Sequence, residues 1–595
     1  MCRIAGIISK RLTKDEMFAK TSIMCNALRH GGPDDKGIFG AESTGLVFGH
    51  RRLSIIDLSV NGHQPMADIN KKTWITFNGE IYNYRELKDQ LVKIGAKFRS
   101  NTDTEVVLQA YLHWGVAAFS KFRGMFAFAL YDVEKALTYL VRDTMGIKPL
   151  YYHIANEQLS FASEVKALQL AHIANENNKT WLIKFLAYGH IPEPDTILKN
   201  VFSLPKGSFL CWDHHSCTQH ISSYIQLSET RRITNIKLAE ETIGETFRSA
   251  VNRQLIADAP IGVFLSGGID SSVVTLLANQ WKQNELKTVS LYFNEKEYDE
   301  RAYQQQVFNK IKGEKFTHLV TQHDFEECFP YILNAMDMPT TDGINTWFIS
   351  NYAHKDGLKA VLSGIGADEL FGGYPSFSRI NYINYLRLIP SSLLKTTNYW
   401  GADRYKRVNY LTSHHPLADY LFLRGLFAPA EIAEILNCDE KQVYDTLFFT
   451  ENIPNPGLTN QEKAAWFETN IYMQNQLLHD TDIMSMNNGL EVRVPFLDED
   501  FQNAVNSISS EIRFDKIQPK KLLIDTFKDI LPQSVWNRPK MGFSFPLQQW
   551  MRHHPEINNE HLYSNKKAKS IIKDFKTDKV HWSKAFALYQ VQLHA

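Results

Sequence analysis

The stretch Ile261-Gly262-Val263-Phe264-Leu265 is an apolar strand that runs directly into Ser266-Gly267-Gly268-Ile269-Asp270-Ser271-Ser272 and then into a helix. A short strand with no polar alternation is one buried on both faces, and such strands belong to parallel sheets with helical crossovers. Two further strands, Thr288 to Phe293 and Ala360-Val361-Leu362, alternate with helical stretches in the βαβ rhythm of such a sheet. The loop itself constrains chemistry. Gly267 and Gly268 let backbone approach a ligand closely. The amides that follow and the helix N-terminus favour an anion, and Ser266, Ser271 and Ser272 add hydroxyls. Asp270 would repel a phosphate unless a cation sat between them, which implies Mg²⁺. The lysine of a G-x-x-x-x-G-K-[ST] loop is missing.

A second loop of this kind follows the strand at 360–362. Leu362-Ser363-Gly364-Ile365-Gly366-Ala367-Asp368-Glu369 offers flexible backbone at Ser363 and Gly364 and a second carboxylate, Asp368. Asp270 and Asp368 together could hold the Mg²⁺ of a bound triphosphate, where bridging metal would neutralise a leaving pyrophosphate.

The front of the chain reads differently. Strands at Leu46 to His50, Thr73 to Phe77, Phe126 to Tyr131 and Ala136 to Val141 are interspersed with helices such as Asp103 to Trp114, the pattern of an α+β layered domain. Pro192 to Pro205 reads as a loop-rich end, and Ser228 to Asn235 as a polar link. A helix is predicted from Ala239 to Ala257, with Ile243, Phe247, Val251 and Leu255 on one face, and another from Ser271. Beyond about residue 375 the chain reads as mostly helical, with a Lys-rich, solvated or frayed stretch at Ser564 to Lys576. We therefore expect a domain over 1–210, a linker over 211–237 and a second domain over 238–595.

Cys2 stands directly behind Met1. Its small side chain favours removal of Met1, which leaves thiol and α-amine on one residue. An α-amine with a pKa near ~8 is partly neutral at pH 7 and can take the thiol proton. Bulk composition excludes other classes. Lys+Arg and Asp+Glu are equal at 65 each, which gives no support for nucleic-acid or membrane-surface binding. Cys2, Cys25, Cys211, Cys217, Cys328 and Cys438 form no C-x-x-C pair, which fits a reducing cytoplasm. No signal-type h-region and no membrane-spanning apolar run is expected.

Taken in order, the motifs resemble those of the glutamine-dependent asparagine synthetases of the B type, over nearly the full length. The resemblance rests on Met1-Cys2, Gly49-His50-Arg51-Arg52-Leu53-Ser54-Ile55-Ile56-Asp57, Phe77-Asn78-Gly79-Glu80-Ile81-Tyr82-Asn83 and Thr102-Asp103-Thr104-Glu105. It continues through Arg123 to Ala129, Arg142-Asp143, Ser163 to Leu168, the two loops above, Glu491 to Asp498 and Arg538 to Phe543. The loop at 266–272 also resembles the S-G-G-x-D-S-S loop of ATP pyrophosphatases.

The resemblance implies an N-terminal nucleophile domain of layered sheets joined to an ATP-pyrophosphatase-like α/β domain with a helical C-terminal part. It implies that Cys2 attacks the amide of glutamine, with Asn78 and Gly79 as the oxyanion hole. Arg52 would hold the substrate α-carboxylate, and Asp103 with Glu80 its α-amine. Ammonia would cross an internal channel to a site where ATP adenylates a carboxylate. There Leu265 and Leu291 would meet adenosine and Lys520 the phosphates. The implied partners are glutamine, ATP, aspartate or another carboxylate, and a second copy of the chain.

Some positions depart from the family pattern. Ile365 stands where the second loop usually carries glutamate, and isoleucine cannot accept a proton or hydrogen bond. Either a neighbour such as Glu369 compensates or the acceptor differs from aspartate, for example a uronic acid of a surface polysaccharide. Gly31 replaces the second arginine of Arg-His-Arg-Gly-Pro-Asp. Ile483 and Ile524 also replace arginines, and Met338 to Thr346 differs in a region expected near the acceptor.

Overall fold

The computed structural model describes residues 2–41, 45–225, 232–398, 403–448 and 453–594. Among the described residues, the front half is built from twelve strands. In chain order they are β1 (Arg3–Ser9), β2 (Asp35–Ala41), β3 (Leu46–Arg52), β4 (Met66–Ala67), β5 (Thr73–Ile81) and β6 (Gly124–Asp132), then β7 (Leu137–Arg142), β8 (Tyr151–Ala155), β9 (Gln158–Ala162), β10 (Val201–Ser203), β11 (Ser208–Asp213) and β12 (Thr218–Ser223). They pair into two sheets, β10-β8-β9-β1-β3-β2 and β12-β11-β7-β6-β5-β4, with antiparallel neighbours throughout. Ile4, Ile8 and Phe48 of one sheet pack against Ala127, Ala129, Leu140 and Trp212 of the other. Helix Lys14–Ala27 lies on β1 and β3, and helix Asp103–Trp114 on β5, giving a four-layer α-β-β-α stack. Apolar residues on both faces of β5 and β6 are the reason: each strand is covered on two sides.

Among the described residues, five parallel strands form the sheet of the second half: β13 (Ile261–Phe264), β14 (Lys287–Tyr292), β15 (Glu314–Leu319), β16 (Ala360–Leu362) and β17 (Glu491–Arg493). Their order is β15-β14-β13-β16-β17. The chain leaves β13 to one side and later returns to build β16 on the other. That reversal opens a crevice beyond the carboxyl ends of β13 and β16, where ligands of open α/β sheets bind. The fold thus matches the layered-sheet plus parallel-sheet reading, with a helical region behind it.

Local expectations are corrected in several places. Helix Ile236–Gln254 starts three residues before the expected position, because Asn235 caps it by accepting from the Leu238 amide at 3.0 Å. The helix expected from Ser271 begins at Ile269, directly after the glycines. The loop at 192–205 contains β10, and β11 and β12 run through the span read as linker from 211. The polar link is seen only from residue 232, since 226–231 lie outside the described residues. The Lys-rich stretch forms helix Lys566–Lys576, which buries Ala568, Ile571, Ile572 and Phe575 on one face. Finally, Glu491-Val492-Arg493 is a strand inside the region read as helical. Among the described residues, no helix is long and apolar enough to cross a membrane.

Candidate active sites and the strand between them

Cys2 leads into β1, and Asn78, Gly79 and Glu80 lie on β5 of the other sheet, so sheet stacking brings them together. The Cys2 backbone N–H donates to Asn78 Oδ1 at 3.3 Å. Asn78 is fully buried and its amide Nδ2 has no hydrogen-bond partner. A buried donor left unsatisfied costs about 1–3 kcal/mol, so this amide is held for something that arrives. Gly79 sits at φ +155°, and a Cβ there would lie 2.2 Å from the Met125 carbonyl oxygen. Only glycine lets β5 pass β6 so closely. Burial pushes the Cys2 thiol up to about 11, partly offset by the Leu53 amide and the Arg52 charge.

Arg52 and Asp103 complete the pocket wall. The Arg52 guanidinium donates to the carbonyls of Ser59 at 2.9 Å and Asp57 at 2.5 Å, and so clamps the loop that roofs the pocket. Gly62 makes room for it, since a Cβ there would meet Arg52 Nη2. Asp103 opens helix Asp103–Trp114, where its Oδ2 accepts from the Ile81 amide at 3.0 Å. Burial lifts its carboxyl to about 6 despite that bond. Glu80 is raised well above its ordinary range by burial and by the charges of Glu491 and Asp103.

The second site is a cleft of about 1000 Å³ at the crevice between β13 and β16. Ser266, Gly268, Asp270, Ser271, Ser363, Gly364, Asp368 and Lys520 line it. The first loop is held by its own serines: Ser266 and Ser271 hydroxyls lie 3.0 Å apart, and Ser272 Oγ donates to the Gly268 carbonyl at 2.6 Å. Gly267 takes φ +88°, and its carbonyl accepts from Arg538 at 3.1 Å. Leu265 and Leu291, expected at adenosine, bury their side chains in the sheet core, and neither they nor Ser272 and Gly267 are among the residues lining the cleft.

Lys520 Nζ reaches Asp270 Oδ2 and Asp368 Oδ1, both at 2.5 Å, and Lys540 adds a contact to Asp368 at 2.7 Å. Burial would raise Asp368, but the two ammonium groups outweigh it and hold it below its usual range. Asp270 Oδ1 is buried without a partner. Among the described residues no group of three or more His, Cys, Asp or Glu could cage a metal alone. Two convergent carboxylates with one free oxygen suit Mg²⁺, which is commonly held by one or two carboxylates plus substrate phosphates.

Ile365 also lies on the cleft wall, with Asp342, Asp480, Tyr374 and Glu369. Burial, then the neighbouring Asp368 charge, pushes Glu369 up to about 8, and Tyr374 Oη donates to it at 2.9 Å. Ile524 is also on the wall, whereas Ile483 is buried.

One strand separates the two sites. Val492 of β17 lines the cleft, while its neighbour Arg493 lies 3.7 Å from Glu80, on the wall of the Cys2 pocket. Arg493 is fully buried, pairs with Glu491 at 2.5 Å and donates to the Gln254 and Ile256 carbonyls. Sequence reasoning gave no role to Arg493, Arg538 or Lys540. Their one signal was the density of charge within the Glu491 to Asp498 and Arg538 to Phe543 motifs.

A family model described as a glutamine amidotransferase domain matches residues 1–225, and one described as asparagine synthase matches residues 242–584. The chain is 32% identical to asparagine synthetase [glutamine-hydrolyzing] 1 of Bacillus subtilis, over 97% of this chain and 91% of that protein. It is 27% identical to asparagine synthetase [glutamine-hydrolyzing] 3 of the same organism, over 93% and 88%. Amidase chry2 of Gibberella zeae is 27% identical over 88% and 84%. A solved glutamine phosphoribosylpyrophosphate amidotransferase from B. subtilis overlaps 54% of this chain and 81% of that one, with 14% identity and a TM-score of 0.30, a likeness too slight to inform the sites.

Proposed function

The chain belongs to the glutamine-hydrolysing asparagine synthetase family, and from that premise we propose how its residues divide the reaction. Cys2, once Met1 is removed, attacks the side-chain amide carbon of glutamine, and its freed α-amine takes the thiol proton. The new oxyanion is received by Asn78 Nδ2 and the Gly79 amide. Ammonia leaves, and water hydrolyses the thioester to glutamate. Arg52 holds the substrate α-carboxylate, and Asp103 with Glu80 holds its ammonium. The observation that carries this reading is the buried, unpartnered amide of Asn78 beside a thiol that opens the chain's first strand.

In the cleft, a carboxylate oxygen of aspartate attacks the α-phosphorus of ATP and displaces pyrophosphate. Ammonia then attacks the acyl carbon and displaces AMP. Lys520 supplies positive charge to the phosphates, and Asp270 and Asp368 would hold Mg²⁺, which neutralises charge on the leaving pyrophosphate. Ammonia passes beside β17 from one site to the other. The amidotransferase half ends after β12, and the synthetase half begins with the helix at 236. The protein works in the cytoplasm as a homodimer.

The test is a product balance. With glutamine, ATP, Mg²⁺ and aspartate, the purified protein should form asparagine, glutamate, AMP and pyrophosphate in equal amounts, and chelation of Mg²⁺ should stop pyrophosphate release while glutamine hydrolysis continues. ADP and phosphate as products would overturn the reading. A second reading keeps the chemistry but changes the acceptor to another carboxylate, such as a uronic acid. Ile365 on the cleft wall favours it, and AMP formation that ignores aspartate but follows another acid would establish it.

A further inference from the structure

Arg3, the residue after the nucleophile, is fully buried and bonded to both halves of the molecule. Its Nε donates to Glu164 of the amidotransferase half at 2.8 Å, and its Nη1 to Asp482 of the synthetase half at 2.6 Å. Lys148 also pairs with Asp482, and His30 lies 2.8 Å from Glu164. Burial would raise both carboxyls. The Arg3 and Lys148 charges instead hold Asp482 at about 2, and His30 with Arg3 holds Glu164 at about 2. Asp482 sits on helix His479–Asn487, and Asp480 and Thr481 of the same helix line the nucleotide cleft. Three covalent or ionic steps, Cys2 to Arg3, Arg3 to Asp482 and Asp482 to Thr481, thus separate Cys2 from the cleft wall.

The departure at Gly31 explains why this arginine fits. A Cβ at position 31 would lie 2.8 Å from Arg3 Cγ and 2.9 Å from Arg3 Nε. Any side chain at 31 would therefore push Arg3 out of the position it holds here. The turn Arg29–Gly31 abuts the same helix, so either position can deliver a guanidinium to it.

We propose that Arg3 is a positioning residue that couples glutamine hydrolysis to the synthetase site, having taken over, from β1, the place of the arginine that Gly31 lacks. Its planar fork presents Nε to Glu164 and Nη1 to Asp482 in fixed, separate directions, where a lysine would offer a single point charge. Acceptor or nucleotide contacts that shift helix His479–Asn487 are thereby transmitted to the strand that carries the nucleophile.

The proposal rests on the functional reading above. The test compares glutamate formed with AMP formed when glutamine is the nitrogen source, in full-length wild type, Arg3→Met, Asp482→Asn and the double variant Arg3→Gly/Gly31→Arg. Wild type should form the two in equal amounts. Arg3→Met and Asp482→Asn should keep ammonia-dependent AMP formation and glutamine hydrolysis, but the glutamate-to-AMP ratio should rise about fivefold or more. The double variant should return the ratio toward that of wild type. A ratio unchanged in Arg3→Met, or a folded double variant that stays uncoupled, overturns the assignment. Loss of ammonia-dependent synthesis in all three variants would make Arg3 purely structural and overturn it equally. Ammonia-dependent AMP formation reports on the functional reading, and the ratio on Arg3, so the two fail separately.

Discussion

At the scale of single residues, the first site is defined by what is left unpaired. Asn78→Ala removes a preorganised donor, so glutamine-dependent kcat should fall by about 10²–10³-fold with little change in KM. Ammonia-dependent synthesis should be untouched, and steady-state kinetics with each nitrogen source checks both. Asp103 supplies a pH dependence. Burial lifts its carboxyl to about 6, so the ionised form, which on the proposed function pairs with a substrate ammonium, is lost as pH falls through about 6. The kcat/KM for glutamine should fall there, and Asp103→Asn should lower it at pH 8 and remove that limb. The stability effect has the opposite sign. A carboxyl raised above its unfolded value of about 4 costs stability increasingly as pH rises from there to about 6.

At the scale of elements, the nucleotide site depends on two loops packed backbone to backbone. A Cβ on Gly364 would lie 2.8 Å from the Ser271 amide nitrogen. Gly364→Ala should force the loops apart at an overpacking cost of about 1–3 kcal/mol. Calorimetric ATP binding should weaken by about tenfold or more, while glutamine hydrolysis stays at the parent rate. These loops were legible in the sequence because each couples an apolar strand to glycines and a carboxylate over a few residues. Strand β17 was not legible. Its three residues carry two charges, Glu491 and Arg493, and such a segment reads as surface. It is a strand because β16 offers it an edge and because Gln254, Ile256 and Glu80 receive the Arg493 charge. Leu265 and Leu291 show the converse. Apolar side chains in strands between covered layers go to the core, so they leave any nucleotide contact to backbone.

At the scale of the molecule, the two halves are joined by a buried ionic cluster of Arg3, Lys148, Glu164 and Asp482. Both carboxyls are held at about 2, below their unfolded values. Their contribution is therefore fully present above about pH 5 and is lost as pH falls toward about 2, by about 2–3 kcal/mol for each such carboxylate. Asp482→Asn leaves two buried cations undercompensated and should cost about 3–5 kcal/mol at pH 7. In denaturant titrations the gap between this variant and wild type should narrow steadily between about pH 5 and pH 2. A gap independent of pH would show that the cluster does not carry the joint.

The sequence by itself determined the two architectures and the order of their motifs, and it singled out Cys2 and the two glycine loops for the roles proposed above, because each is written in a short local pattern of hydrophobic period, glycine and charge. Only the tertiary structure decided which residues from distant segments meet. Sheet stacking sets Asn78 beside Cys2, left-handed backbone at Lys520 presents an ammonium to two carboxylates, and the space at Gly31 is filled from position 3. Those meetings depend on burial, where an unpaired charge or amide is costly enough to dictate its partner, and burial is a property of the packed chain alone.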